Sequence, residues 1–285
     1  ATAHFYQFIK FFFYGIHDLF INISEGCSFN CSFCTHKPGL GQRRSRPLGE
    51  IEEQIHQCVK EGVKVVNLMG METALYGIEV GSSYPELLAR VLEMHESYEV
   101  HVAQFNPEGV HKYYDELLPL FQNVRVSDIQ VPIQTTSTRL LKMMRRKNHS
   151  EEVGSFMRQV RQENRRAVLR SDLILGWPTE TRDERFASLD FAGEHFDEIA
   201  SYTIELHPDL PAWKYRDEAY SPDELQDILS EARDYLARFG RLVHSGQQDD
   251  NTMTEAEERR RKLREERWGD AAPEGDAQVI EIENA

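Results

Sequence analysis

Three of the four cysteines of this 285-residue chain lie within eight residues, at Cys27, Cys31 and Cys34. Three residues separate the first two cysteines, and two residues separate the second from the third. Three thiolates on one loop can hold three irons of a [4Fe-4S] cube, and the fourth iron then has no protein ligand. The spacing therefore predicts an iron-sulfur cluster with one coordination position open to a small molecule.

Other uses of these cysteines fit the sequence less well. So few cysteines in a chain of this length are typical of a reduced, cytoplasmic protein rather than one held together by disulfides. A zinc site would need a fourth ligand from His36, His56 or Cys58, whereas zinc motifs usually arrive as two separated pairs. Cys58 shares a helical face with Ile51 and Ile55, so we expect it to pack in the core. A non-catalytic cluster or zinc scaffold is kept as an alternative.

The net charge of −15 restricts the possible partners. Proteins that bind nucleic acid usually carry a basic face that displaces counterions from phosphates, so a large RNA partner is disfavoured. No run of eighteen or more apolar residues occurs, which excludes a membrane-spanning helix. These properties favour a small-molecule or peptide substrate.

Short apolar runs rich in β-branched residues alternate with longer segments of helical period. We predict six strands, at 19–24, 63–68, 100–105, 128–133, 168–175 and 199–206. We predict the helices between and after them near 50–61, 84–95, 109–119, 137–146, 150–164 and 182–194. This alternation is typical of βα units around a parallel sheet, so the predicted fold is α/β, a partial (β/α)6 TIM-like barrel with an open side.

The predicted organisation has four parts. They are an aromatic N-terminal segment at 1–17, the barrel at 18–210, a C-terminal helical extension at 211–245, and a charged helix with a disordered tail at 246–285. Within the extension, Ser221 followed by Pro222 predicts the start of a helix over 222–239.

The barrel would bring the functional loops to one rim, because parallel strands joined by helical crossovers end on the same side. The three cysteines follow the first predicted strand directly. The other predicted rim loops are 70–76, 106–108, 134–136, 176–181 and 207–209.

The cysteine spacing, with the aromatic Phe33 before the last cysteine, resembles the signature of the radical S-adenosylmethionine (SAM) enzymes. In that family, SAM chelates the open iron, an electron from the cluster cleaves its sulfonium, and a 5'-deoxyadenosyl radical abstracts hydrogen from a substrate. The resemblance implies a [4Fe-4S] cluster and SAM as cofactors. It also implies an external reductant of the flavodoxin or ferredoxin type.

Within that family, the chain is most similar to the methylthiotransferases that modify tRNA adenosines or a ribosomal-protein aspartate. The similarity covers about 18–210 and consists of motifs in order, at 24–27, 44–46, 72–77, 106–109, 131–134 and 169–181. Those enzymes also carry an N-terminal domain with a second, sulfur-donating cluster and a C-terminal RNA-binding domain. We expect this chain to contain neither.

The resemblance also implies site residues. Gly70, Met71 and Glu72 would meet the methionine end of SAM. Gln134 and Arg170 would lie near its ribose or carboxylate. Gly176, Trp177 and Pro178 would close on the adenine, and Phe33 would accompany the cluster cysteines.

Other polar residues are weaker candidates. Arg44 and Arg46 would lie near the cluster or an anionic group, since a guanidinium suits a carboxylate. The residues alone do not identify a catalytic group, and the candidates are Glu205 and His207. Glu205 is one because an acid inside a barrel needs a partner or a function. His207 and His36 lie on predicted rim loops.

The expected function is hydrogen abstraction from a small-molecule or peptide substrate, in the biosynthesis of a specialised metabolite such as a nucleotide or sugar precursor. The alternative within the same family is sulfur insertion, as in a methylthiotransferase, with the donor cluster supplied elsewhere. Substrate specificity depends on side-chain directions that a sequence does not give.

Overall fold

The computed structural model of the chain describes residues 18–94, 97–147 and 149–245. The predicted aromatic segment at 1–17 and the predicted charged helix and tail at 246–285 lie outside these residues.

A seven-stranded parallel sheet forms the framework. Its strands follow chain order, and each pairs in parallel with the next. They are β1 (Asp18–Asn22), β2 (Val65–Met69), β3 (Glu99–Val102), β4 (Val126–Gln130), β5 (Val168–Leu175), β6 (Glu198–Thr203) and β7 (Leu242–Ser245). The first six confirm the predicted α/β partial barrel, with ends shifted by up to three residues.

Eight helices connect or follow these strands in the described residues. They are α1 (Leu48–Lys60), α2 (Tyr84–Met94), α3 (Pro107–Lys112), α4 (Tyr114–Phe121), α5 (Thr138–Met144), α6 (Ser150–Glu163), α7 (Arg182–His195) and α8 (Pro222–Ala237). Helical turns also occur at Lys37–Leu40, Ile78–Val80 and Pro211–Glu218. The crossover predicted as one helix at 109–119 is two, because the backbone leaves helical geometry at Tyr113, where φ is −124°.

The seventh strand was not predicted. The sequence interpretation ended the βα alternation after Pro208 and treated 211–245 as a helical extension. In the structure, α8 is instead the crossover helix of a further unit, and β7 adds to β6 with Glu198 opposite Leu242. The sequence after Pro208 does not continue the regular alternation of strands and helices, and the pairing of β7 with β6 defines this strand.

The main core lies between the sheet and the surrounding helices. Alternate residues of β5 point outward into it, so that Leu169, Leu173 and Leu175 are buried against the helices. Cys58 packs in the same core and is 5% exposed, which confirms the prediction that it is a packed residue. Burial raises the pKa of its thiol, and Glu61 raises it further.

Two helices that flank the rim begin with a full capping box. Thr181 and Glu184 cap α7, and Ser221 and Glu224 cap α8. In each box the hydroxyl accepts from the backbone N–H three residues later and the glutamate accepts from the cap N–H, which satisfies donors that a helix start leaves unpaired. These caps fix where the loops before α7 and α8 end. Among the described residues, no helix combines the length and apolar character that crossing a bilayer requires.

Candidate functional site

The cysteine loop leaves the sheet directly after β1 and returns before α1. A two-residue antiparallel ribbon, Ser24–Glu25 with Arg44–Ser45, closes its base. Gly26 begins the loop at φ +73°, and a Cβ there would lie 2.2 Å from the carbonyl oxygen of Gln42. Only glycine fits this turn. The cysteines are therefore presented at the C-terminal end of β1.

Cys27, Cys31 and Cys34 carry reduced thiols and are each partly accessible to solvent. Within the part of the chain that the structure describes, the three sulfurs do not all lie within 4.8 Å of one another. The sulfurs of a tetrahedral zinc site would lie about 3.8 Å apart. The three sulfurs therefore do not form a preformed tetrahedral zinc site.

Ser32 fixes the middle of the cysteine loop. Its backbone N–H donates to the carbonyl oxygen of Met144 at 3.0 Å, and its hydroxyl donates to that of Met143 at 2.8 Å. Both acceptors lie at the C-terminus of α5, where carbonyls have no partner within the helix. The Ser32 carbonyl accepts from the N–H of Ala212 at 3.0 Å. The loop is thus held by two elements that are distant in sequence.

A small apolar cluster lies beneath the loop, and we call it the rim cluster. Its buried members are Leu140, Leu141, Met144, Ile174, Trp177 and Ala212. Phe33 packs edge-on against Trp177, with ring centroids 6.0 Å apart. An apolar surround limits the access of water to a bound cluster and influences its potential. Phe33 therefore joins the cysteine loop to the loop after β5, as a residue near both cofactors would.

Arg146 places a positive charge beside the cysteines. One of its Nη atoms lies 3.8 Å from Cys31 Sγ, and the other donates to the carbonyl oxygen of Pro132 at 3.1 Å. A neighbouring cation stabilises a thiolate. The preceding residue, Arg145, ends α5 in the left-handed region at φ +57° and is exposed.

The basic residues after the cysteines differ in burial and in their contacts. Arg44 is exposed and pairs with Glu25, and Arg46 donates to the Asn22 carbonyl oxygen and to Gln54. The buried cation is Arg43, which sequence reasoning missed.

Arg43 connects the cysteine loop to the loop after β2. Its Nη1 donates to Glu72 Oε2 at 2.6 Å, and its Nε and Nη2 donate to Glu79 Oε2 at 3.1 and 3.0 Å. The Arg43 and Glu72 side chains are 6% and 1% exposed. Burial is the largest single effect and opposes the charge on Arg43, but the hydrogen bonds and negative charges of Glu72 and Glu79 together outweigh it and raise the pKa of Arg43. The pair fixes the relative position of two rim loops.

The loop after β2 carries three predicted SAM contacts. Glu72 accepts from Arg43 and from the Leu75 N–H at 2.7 Å, so its carboxylate is engaged inside the protein. Gly70 lies so close to Ser24 that a Cβ would be 2.9 Å from Oγ, and Met71 is 42% exposed. The accessible groups of this loop are its backbone and the Met71 side chain.

The loop after β5 is compact and buried. Gly176 has φ +69°, and Trp177 and Pro178 are buried. The Trp177 indole N–H has no partner among the described residues. A buried donor without a partner costs free energy unless a ligand accepts from it. The unpaired indole N–H therefore fits a ligand at this loop, which is the one predicted to close on the adenine.

Glu180 anchors the same loop from below. Its Oε2 accepts from the Gly176 N–H at 2.8 Å and from Arg185 at 3.3 Å. Burial raises the pKa of the carboxyl to about 7, although both hydrogen bonds act in the opposite direction. The Glu180 carbonyl oxygen accepts from the Tyr220 hydroxyl at 2.6 Å.

Left-handed backbone conformations concentrate around the rim. Gln104 follows β3, Gln134 follows β4 and Thr179 follows β5, with φ of 53°, 67° and 68°. Residues other than glycine adopt this region at a cost, and such strain is common at functional sites. Gln134 is nine-tenths buried, and its backbone pairs with both Asp172 and Ile174.

A polar interior lies below the rim, between β4, β5 and β6. Arg170 donates from Nε to Asp128 at 2.7 Å and is ion-paired with it. Its guanidinium therefore pairs with a carboxylate of the protein, whereas the sequence predicted a contact with the ribose or carboxylate of SAM. Gln130 donates from Nε2 to both carboxylate oxygens of Asp172, at 3.1 and 3.0 Å. Burial raises the pKa of Asp172.

Sequence reasoning did not identify Asp128, Gln130 or Asp172 as site residues. A usable signal was present, since polar residues at alternate positions of an apolar strand share one face. Arg170 and Asp172 are two apart in β5, and Asp128 and Gln130 are two apart in β4. Those faces meet inside the partial barrel.

The two catalytic candidates lie beyond the sixth strand. β6 ends at Thr203, so Glu205 is an exposed loop residue and not an acid within the barrel. His207 is also exposed, and its Nδ1 accepts from the Asp209 N–H at 3.3 Å. His36 is exposed on the cysteine loop. Of the site residues predicted from the sequence, the structure brings the three cysteines, Phe33 and Trp177 together.

The description "Radical SAM superfamily" belongs to a family model that matches residues 21–192. A probable threonylcarbamoyladenosine tRNA methylthiotransferase from Archaeoglobus fulgidus is 28% identical over 200 residues, which cover 69% of this chain and 47% of that protein. A ribosomal protein uS12 methylthiotransferase RimO from Thermotoga petrophila is 30% identical over 203 residues, covering 70% and 44%. The chain thus spans slightly less than half the length of these curated relatives.

A solved structure shares the fold. It is the radical SAM methyltransferase TsrM from Kitasatospora setae with cobalamin and a [4Fe-4S] cluster bound, and it matches with a TM-score of 0.58 and 15% identity. The match covers 68% of this chain and 38% of TsrM. At this identity the likeness concerns the architecture alone.

Proposed function

The chain belongs to the radical SAM superfamily, and from this premise we propose that it abstracts hydrogen from a small-molecule or peptide substrate. The product would be a specialised metabolite, with a nucleotide or sugar precursor among the candidate substrates. When bound, a [4Fe-4S] cluster and SAM supply an electron and a 5'-deoxyadenosyl radical for this chemistry. An external reductant of the flavodoxin or ferredoxin type and a reducing, cytoplasmic location complete the proposal.

The observation that carries the proposal is the environment of the three cysteines. Their reduced thiols lie together on one rim loop, with Arg146 3.8 Å from Cys31 and the rim cluster beneath. The chain offers no fourth cysteine there, since Cys58 is in the core. Such a loop holds a cluster and leaves one position for a small ligand.

The SAM-facing surface is assigned to three rim loops. The backbone of Gly70 to Glu72 and the Met71 side chain would receive the methionine end. Gln134 would contact the ribose or carboxylate, and the loop at 176–178 would receive the adenine. In this assignment Arg170 acts through Asp128 and the strand interior, because its guanidinium is already paired.

The substrate would enter the polar interior below that surface. Gln130 is the last residue of β4, and Asp172 lies in the middle of β5 within hydrogen-bonding distance of it. Tyr202, near the end of β6, is 42% exposed. Burial raises the pKa of the Tyr202 hydroxyl, and the charge of Asp172 raises it further. These groups offer hydrogen bonds to a hydroxylated or amine-bearing molecule. Glu205 and His207 are kept as outer contacts on the loop that follows.

The test is reductive cleavage of SAM. The full chain is reconstituted anaerobically with iron and sulfide, incubated with SAM and dithionite, and assayed for 5'-deoxyadenosine by mass spectrometry. We expect product from the wild-type protein and from Cys58→Ala, and none from Cys31→Ala. Absence of product from protein loaded with four irons per chain would overturn the proposal.

Sulfur insertion is the second candidate, and the 30% identity to a methylthiotransferase favours it. Iron and sulfide counting separates the two. About eight irons per active assembly, with sulfur transferred to a product, would support sulfur insertion, since a donor cluster adds a second cube. About four irons, with 5'-deoxyadenosine and no sulfur transfer, would support hydrogen abstraction alone.

A further inference from the structure

Two histidines and a glutamate meet on the outside of the barrel, away from the cysteines. His111 lies at the end of α3, His149 immediately precedes α6, and Glu152 lies in the first turn of α6. One ligand atom from each of the three residues lies within 4.8 Å of the other two. The imidazole rings are stacked, with centroids 4.2 Å apart and planes 16° from parallel.

The glutamate lies against both rings. Glu152 Oε2 is 2.7 Å from His111 Nδ1 and 3.9 Å from His149 Nδ1. Ligands of a tetrahedral zinc ion at 2.0 to 2.1 Å are separated from one another by about 3.3 Å. The two measured distances lie on either side of that value. Small side-chain rotations would bring all three atoms to bonding distance of one ion.

A second carboxylate orients His149. Glu108 Oε2 lies 3.0 Å from His149 Nε2, and Glu108 Oε1 accepts from Lys147 Nζ at 2.6 Å. A carboxylate on the outer nitrogen fixes the tautomer of an imidazole and leaves the other nitrogen as a lone-pair donor. Here that other nitrogen is Nδ1, which faces Glu152. Glu108, the His149 ring and the position facing Glu152 thus follow one another as a carboxylate, a histidine and a metal ion do in many metal sites.

We propose that His111, His149 and Glu152 form a binding site for a divalent zinc-class ion, with Glu108 holding His149 in place. The two imidazoles are borderline ligands, and together with one carboxylate they suit zinc or cobalt better than magnesium or calcium, which prefer oxygen ligands. His149 is 10% exposed, whereas His111 and Glu152 are about half exposed. The solvent side leaves the fourth position to water.

The ion would join two consecutive βα units. α3 belongs to the crossover after β3, and α6 belongs to the crossover after β4. His149 also lines an open cleft with Thr136 and Phe191, next to the rim loop after β4. His149 follows Arg146 by three positions, a span of at most about 11 Å. Zinc would therefore brace the segment that positions the cation beside Cys31.

Zinc binding by the cluster-loaded full chain tests the site. Competition with a chromophoric chelator should give one zinc per chain, and the iron content should stay constant. We expect His149→Ala to lower the association constant at least about 100-fold, and Glu108→Gln to lower it about 10-fold to 100-fold. His56→Ala, a histidine on α1, is the matched control and should leave it unchanged.

The zinc absorption edge identifies the ligands. X-ray absorption should show only nitrogen and oxygen neighbours at 2.0 to 2.1 Å. A sulfur neighbour at about 2.3 Å would place the zinc on the cysteine loop and overturn the proposal. Equal affinity in His149→Ala and wild type, with both folded by circular dichroism, would also overturn it. Neither result bears on SAM cleavage, which is measured separately.

Discussion

Arg43 and Arg44 are neighbours in sequence with opposite surroundings. Arg43 is buried between Glu72 and Glu79, whereas the Arg44 side chain is 79% exposed and lies 3.4 Å from Glu25. Removing one member of a buried ion pair leaves the other charge without compensation, and an exposed pair contributes little. The two arginines therefore form a matched comparison.

Arg43→Met should lower the free energy of unfolding by about 3 to 5 kcal/mol, because Glu72 would remain buried and unpaired. Arg44→Met should leave it within the error of the measurement. Urea denaturation of the cluster-loaded protein gives both values. Equal effects of the two substitutions would show that the Arg43 pair does not hold the rim loops together.

Glu180 gives the stability a dependence on pH. Its pKa in the folded protein is about 7, against about 4.5 in an unfolded chain, so the folded state binds more protons between these values. Stability from this group is full below about pH 4.5 and is lost as the pH rises through 7.

Glu180→Gln should therefore remove a stability loss of about 3 kcal/mol that the wild type shows as the pH rises from 5 to 8. The measurement is the denaturation midpoint at several pH values. Glu231→Gln is the control, since Arg182 holds the pKa of Glu231 below its usual value and its effect falls outside that range. An unchanged slope in Glu180→Gln would contradict the assignment.

The cysteine spacing and the packed Cys58 could be predicted from the sequence, because neighbouring residues carry both signals. Ser32, Arg43 and Arg146 could not. Their partners are 111, 29 and 115 residues away, at Met143, Glu72 and Cys31. Spacing and periodicity describe local structure, whereas these contacts arise only when the units are assembled around the sheet.

At the scale of elements, α8 supports the loop after β5. Leu225 of α8 lies against Gly176, where a Cβ would be 2.4 Å from its Cδ2. Tyr220, just before α8, binds the Glu180 carbonyl oxygen. The seventh βα unit, which the sequence did not reveal, is thus part of the site's support. The six earlier strands were predictable because they alternate regularly with helical segments, and β7 lies beyond the point where that alternation could be recognised in the sequence.

Gly176→Ala should destabilise the protein by about 1 to 2 kcal/mol, since φ +69° is unfavourable for any residue with a Cβ. The contact with Leu225 should matter less, because Cδ2 is the end of a flexible side chain. Thermal or urea unfolding of Gly176→Ala and Gly176→Ala/Leu225→Ala, each against its parent, should give the same penalty. If the penalty disappears in the Leu225→Ala background, the contact and not the backbone conformation is the constraint.

At the scale of the whole molecule, the cysteine loop is the meeting point of elements from three parts of the chain. It hydrogen-bonds to the end of α5 and to the helical turn at 211–218, and Arg43 at its far end reaches the loop after β2. A loss of structure in the cysteine loop should therefore loosen the end of α5, the turn at 211–218 and the loop after β2, and the reverse should also hold.

Removal of the cluster should loosen these elements together. Hydrogen exchange of Cys27→Ala/Cys31→Ala/Cys34→Ala, compared with the loaded wild type, should rise in 27–46, 138–147 and 211–218. Strands β2 and β3 and helix α2 should keep their protection, because they contact the main core instead. A uniform rise across the chain would contradict this coupling.

Ser32 also has a consequence for biosynthesis. Its partners at Met143 and Ala212 follow it by more than a hundred residues. At about 5 to 20 residues per second, the ribosome makes Ala212 some 10 to 35 s after Ser32. During that interval the cysteines are exposed on an incomplete chain. The cysteine loop therefore reaches its final conformation only when nearly the whole barrel has been translated. Iron must be inserted after that point, and the thiols must be protected until then.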